Sequence, residues 1–224
     1  GVIWQFGGRY SDPDFTIRLA EPNGVEAGQF YRSTVAEGWA VASQDLNADF
    51  VNGLAAAMLA STASLGGLTR SAPFEIGTAF LPEGPAGFGC CTGGSGLAIL
   101  ADKPREIQEA AFSYLAFATS PETTLFWSQR TGYMPVRKSA VQSEEMKRFY
   151  QENPNFRTAV EQLPKTQPQD AARVFIPNGD QIIGKGLERV TINQEEPQTV
   201  FAEVARTLES EAKPVLSQLA QREK

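Results

Sequence analysis

Apolar positions recur every three or four residues over the second half of the chain, and alternate only in short runs nearer its start. Ile107, Ala110, Ala111, Tyr114, Leu115 and Ala118 share one helical stripe, which predicts a helix with Asp102 as N-cap and Pro104 in its first turn. Ser120, Pro121 and Glu122 then supply a cap, a first-turn proline and an early acid for a second helix, with Gly132 as its stop. Helical stretches follow around Ser143 to Glu152 and Asn155 to Leu163, then a Pro- and Gln-rich connection from Pro164 to Gln169 and two long helices. The last starts near Gln198 with Val200, Val204 and Leu208 on one stripe, and Pro214 is expected to bend or interrupt it.

The first hundred residues mix the two periods. A short strand is expected from Phe15 to Leu19, then a helix opened by Glu21 and Pro22 with Val25, Phe30, Val35 and Trp39 among its apolar positions. Asp49 to Gly53 reads as the end of a short helix, Leu54 to Leu59 as an apolar run, and Ser61 to Ser64 as the cap of the next helix. Phe74 to Leu81 and Gly96 to Ala101 are predicted strands, joined by a Gly- and Pro-rich loop from Pro82 to Gly94. Strands alternating with helices early, then mostly helix, indicate an α/β architecture with a helix-rich C-terminal region.

Composition narrows the chemistry. The 224 residues hold 20 Lys plus Arg against 26 Asp plus Glu, with no basic run suited to a phosphate polymer, so nucleic acid is a poor partner. No segment reaches the length of a membrane span, and Gly1 to Trp4 lacks signal-peptide character, so any export signal is expected to lie upstream of Gly1. These residues include no His, which removes Ser-His and Cys-His nucleophile pairs and histidine metal sites. Cys90 and Cys91 are adjacent and fit no zinc spacing; they read as small packing residues or as a strained vicinal disulfide. No cofactor is implied, because the chain has neither a phosphate loop nor a serine elbow, and Gly93 to Gly96 alone is too short to signal a nucleotide. What remains suits a polar small molecule: the aromatic faces of Trp4 and Tyr133, the hydroxyls of Ser61 and Ser64, and the backbone amides of Gly93 and Gly94.

These pieces also carry a resemblance. The segment Phe50 to Ala57, the serine turn through Ser64, the strand from Phe74 through Gly77 to Pro82, the Gly93 and Gly94 pair and the stretch Trp127 to Val136 resemble, in order and spacing, the maltose-binding-protein-like extracellular solute-binding family. Within it they are most similar to the glycerol-3-phosphate binders. The resemblance implies a periplasmic-binding-protein-like two-lobed fold that closes on its solute and delivers it to the permease subunits of an ABC importer. It also implies an upstream stretch carrying most of the N-terminal lobe. Residues 1–92 would then be part of the C-terminal lobe, 93–138 would cross into the N-terminal lobe, and 139–224 would be the helical remainder of the C-terminal lobe. The implied location is periplasmic or extracytoplasmic, with a lipid anchor as one option.

Carried over position by position, the resemblance assigns solute contacts to Tyr133, Gly94, Ser64 and Trp4, with Gly93 and Ser61 beside them. It places Gln181 where the phosphate binders have an arginine, with Arg173 as the alternative cation. A neutral amide does not replace a bidentate guanidinium, and Asp180 beside it would accept hydroxyls and repel phosphate, so a neutral sugar, glycoside or polyol stands beside glycerol-3-phosphate as the solute. Two other readings stay open. A carbohydrate-processing enzyme would need two carboxylates facing one bond, and isolated acids such as Glu83 and Asp180 give no reason to pair. A truncated fragment that binds nothing is the other.

Overall fold

The computed structural model describes residues 1–43, 45–94 and 96–222. In chain order the helices are α1 (Val2–Gln5), α2 (Pro22–Ala36), α3 (Leu46–Val51), α4 (Leu65–Ser71), α5 (Arg105–Ala118), α6 (Pro121–Thr131), α7 (Lys138–Val141), α8 (Glu144–Glu152), α9 (Pro154–Gln162), α10 (Ala171–Val174), α11 (Gly179–Thr191) and α12 (Pro197–Arg222). Four two-residue strands accompany them: β1 (Glu83–Gly84), β2 (Gly87–Phe88), β3 (Cys90–Cys91) and β4 (Thr166–Gln167). β1 and β2 form an antiparallel hairpin, whereas β3 and β4 pair in parallel, with Cys90 opposite Thr166.

The chain packs as two compact units. The first comprises Gly1–Ser43, Leu81–Gly93 and Lys165–Lys224, and the second Gln44–Phe80 and Gly94–Pro164. These packing units divide the chain differently from the lobe boundaries after 92 and 138 that the resemblance implies, except beside Gly93.

The first unit has a continuous core. α12 turns Val200, Val204, Leu208 and Ala212 inward at four-residue spacing, joined by Phe201 and Ala205, all buried. α11 presents Ile183 and Val190 to the same cluster, which takes in Ile3, Trp4, Leu19, Val25 and Ile176. Gly186 sets the separation of these two helices, because a Cβ there would lie 2.6 Å from the Val204 side chain. The expected break at Pro214 does not occur: α12 runs through it to Arg222.

The second unit buries less. Its core is Leu125, Ala140, Met146 and Tyr150, with Phe149, Phe156 and Val160 packed against it. α6 forms as its sequence requires: the Ser120 hydroxyl accepts from the Thr123 amide, Pro121 opens the first turn, and Gly132 ends the helix at φ 99°. α5 forms too, although Pro104 and not Asp102 occupies its N-cap position, and none of its fourteen residues is buried.

Three expected strands are absent as ladders. Phe15 takes φ 68°, which breaks extended backbone, so the run Phe15 to Leu19 keeps only an isolated antiparallel bridge between Ser11 and Ile17. The Asp14 carboxylate accepts from the Thr16 amide at 2.9 Å within that loop, which holds its carboxyl below the ordinary range. Neither Phe74 to Leu81 nor Gly96 to Ala101 belongs to a strand, since a strand exists only with a hydrogen-bonded neighbour and the described residues offer no ladder to either. The Pro82 to Gly94 loop carries β1, β2 and β3 instead. Among the described residues, no helix is long and apolar enough to cross a membrane.

Candidate functional site

In the first unit, three chain segments meet around one carboxylate. Asp170 precedes α10 without capping it; its Oδ2 instead accepts from the Trp4 indole Nε1 at 3.2 Å and from the Tyr10 amide at 2.6 Å. The Ala172 amide at the start of α10 is satisfied from elsewhere, by the buried Ser11 hydroxyl at 2.8 Å. The pair of bonds from Trp4 and Tyr10 fixes both the indole plane and the turn that leads into Arg173.

The result is a small concavity lined by Gly1, Trp4, Tyr10, Cys91, Gln169, Asp170 and Arg173. Its polar groups are of both signs. The Arg173 side chain is on an exposed residue, and among the described residues no carboxylate forms an ion pair with it. Burial pushes the Tyr10 hydroxyl up to about 12, so it remains a neutral donor and acceptor throughout the physiological range. Gln169 donates from Nε2 to the Thr92 carbonyl at 3.2 Å, which ties the loop after β3 to the rim. Among the described residues neither Cys90 nor Cys91 forms a disulfide; Cys90 is buried and Cys91 is on the wall of the concavity. An aromatic face, a fixed acceptor and a cation are groups suited to an anionic or polyhydroxylated molecule, and the lining residues include no nucleophile paired with a base.

A second group gathers in the second unit. The turn Thr62–Ser64 packs on the C-terminal end of α6 so closely that a Cβ on Gly132 would lie 2.4 Å from the Thr62 carbonyl oxygen. The serine turn and Tyr133, the residue after that glycine, thereby become neighbours. The Tyr133 amide donates to the Thr131 hydroxyl at 3.1 Å and the residue is partly buried. Ser61 is committed to capping, accepting from the Ala63 amide at 3.3 Å, whereas Ser64 makes no capping bond.

Among the expected site residues, Trp4 and Arg173 therefore line one concavity, with Gly93 next to it: a Cβ there would stand 3.8 Å from Gln169 Nε2. Ser61, Ser64 and Tyr133 cluster in the other unit, where Gly94 is exposed with open space at its Cβ position. Ser95 of the glycine-rich stretch lies outside the described residues. Gln181 is exposed in the first turn of α11 and is not on the concavity wall, whereas Arg173, its proposed alternative, is. Sequence reasoning missed Asp170, Tyr10 and Gln169. An Asp one residue before a helix reads as a cap, and only the fold shows that its carboxylate faces an indole 166 positions away.

The model of the bacterial extracellular solute-binding protein family matches residues 4–158. Among curated relatives, the sn-glycerol-3-phosphate-binding periplasmic protein UgpB of Escherichia coli K12 is 29% identical over 157 residues, which cover 66% of this chain and 36% of that one. Among solved structures, UgpB from Mycobacterium tuberculosis in complex with glycerophosphocholine is 41% identical, with a TM-score of 0.90 over 96% of this chain and 55% of that one. Maltose-bound MalE3 of T. maritima shares the fold at 22% identity and a TM-score of 0.79, again over 55% of its length. The chain thus spans between about a third and just over half of these relatives. Its fold is part of the two-lobed fold of the solute-binding proteins. The chain belongs to the bacterial extracellular solute-binding protein family.

Proposed function

We propose that this chain is the C-terminal portion of a receptor that works outside the cytoplasm, captures a small phosphorylated polyol of the glycerol-3-phosphate or glycerophosphocholine type, and passes it unchanged to the permease of an ABC importer. The observation that carries this reading is the Trp4, Asp170 and Arg173 arrangement, in which one concavity is lined by an oriented aromatic face, a fixed carboxylate and a guanidinium with no carboxylate ion-paired to it among the described residues. A guanidinium with free donors is suited to bidentate contact with phosphate oxygens, and the carboxylate with solute hydroxyls. On this reading Arg173, rather than Gln181, is the phosphate contact. On the resemblance alone, Tyr133, Ser64 and Gly94 are also proposed as solute contacts, with Ser61 and Gly93 in supporting positions. No bond of the solute is made or broken, so the chain acts as a binder and not as an enzyme.

The test is a calorimetric titration of the chain, alone and joined to the share of the mycobacterial relative that it does not span. The titrants are glycerol-3-phosphate, glycerophosphocholine and maltose. The joined protein is expected to bind the two phosphates and not maltose, and Arg173→Ala to weaken binding by at least about tenfold through loss of one charge-assisted contact. Binding of maltose alone would overturn the phosphate assignment. Turnover of any of the three would overturn the receptor reading.

A further inference from the structure

Arg173 stands on an element that cannot hold itself in place. α10 has four residues, too few for an isolated helix to persist in water, so the direction of its side chains is set by tertiary contacts. Ala172, the residue before Arg173, is fully buried and is held on both sides. Its amide donates to the Ser11 hydroxyl at 2.8 Å, and its carbonyl oxygen lies where a Cβ on Gly179, the first residue of α11, would run into it. The Arg173 amide closes a local turn onto the Asp170 carbonyl at 3.0 Å.

Ser11 is fixed in its turn. It is 1% exposed and lies off the concavity wall. An isolated antiparallel bridge ties it to Ile17, flanked by bonds from the Asp12 amide to the Thr16 carbonyl at 2.9 Å and from the Arg18 amide to the Tyr10 carbonyl at 3.0 Å. Beside it the Tyr10 amide donates at 2.6 Å to Asp170, the carboxylate that also orients the Trp4 indole. Residues 10 and 11 thus grip the start of α10 at two adjoining points. Removal of the Ser11 hydroxyl would leave the Ala172 amide buried without an acceptor, a state that so short a helix relieves by rotating. Any rotation of α10 is amplified at the guanidinium, which ends a long side chain.

We infer that Ser11 is a positioning residue for solute binding: through the Ala172 amide it sets the direction in which Arg173 presents its guanidinium, and so tunes the affinity for a phosphate from outside the concavity. The inference rests on the assignment of Arg173 as the phosphate contact.

The test is a double-mutant cycle of Ser11→Ala and Arg173→Ala, with glycerol-3-phosphate titrated into the joined protein. With Arg173 present, Ser11→Ala is expected to weaken binding on the order of fivefold, and with Arg173→Ala already in place by less than about twofold. A hydroxyl that only stabilises the fold would lower affinity by the same factor in both backgrounds, and that result would overturn the inference. Ser11→Cys keeps the side chain's shape but offers only a weak acceptor, and carries the same cycle if Ser11→Ala does not fold. Loss of affinity in Arg173→Ala with none in Ser11→Ala would overturn the inference alone. Absence of phosphate binding, or an Arg173→Ala variant that binds as tightly as the unaltered protein, would remove the assignment of Arg173 and the inference with it.

Discussion

The two units are built from one sequence of ordinary composition, yet they use their apolar residues in opposite ways. α12 and α5 are both amphipathic helices; α12 buries seven residues and α5 none. Helical periodicity therefore identifies which face of a helix is apolar and leaves open what covers it. In the first unit α2 and α11 cover α12, and in the second the described residues supply no equivalent layer over α5.

The largest expected effect that tests this contrast is in the covered unit. Leu208 is fully buried, so Leu208→Ala should cost about 3–5 kcal/mol in urea unfolding of the first unit through lost transfer energy and a residual cavity. Titration of Tyr10 should come next. Its folded pKa, about 12, lies above the ordinary value of 10, so its contribution is complete below pH 10 and disappears as pH rises through 12. The loss is on the order of 2–3 kcal/mol. Tyr10→Phe should flatten the alkaline limb of a stability-against-pH curve, with tyrosinate absorbance reporting the titration.

In the second unit, Gly132→Ala should destabilise by about 1–3 kcal/mol, because the alanine would have to hold φ 99° with its Cβ against the Thr62 carbonyl. Hydrogen exchange in α4 and α6 would register it, while α11 and α12 should be unmoved. The smallest effect is expected on α5, where Phe112 is 64% exposed: Phe112→Ser should change the stability of the chain alone by no more than about 0.5 kcal/mol. A loss as large as that of Leu208→Ala would show that α5 is packed in solution and would remove the contrast between the units.

Where local signals were complete, the sequence was readable. Ser120, Pro121 and Gly132 fixed both ends of α6, and the four-residue spacing from Val200 to Leu208 found the buried stripe of α12. Asp102 failed as a cap because Pro104, whose φ of −52° and ψ of 147° suit the residue before a helix, took that position. The strands at 74–81 and 96–101 failed for a different reason: alternation marks a segment suited to a sheet, but ladder bonds come from a partner that the segment does not encode.

The candidate site divides in the same way. Trp4, Tyr133 and the serine turn were legible as residue types suited to a polar solute, and the order of the segments from Phe50 to Val136 carried the family. Only the tertiary structure placed Arg173 on the concavity and Gln181 off it, since eight positions on either side of a turn and a helix start lead to different surfaces. The same holds for Asp170, whose partners Trp4 and Tyr10 come from the far end of the chain. Local hydrogen bonds and side-chain period act over a few residues and are written in order along the sequence. Which carboxylate meets which indole, and which apolar stripe finds a cover, depends on how distant segments pack, and that is decided by the fold as a whole.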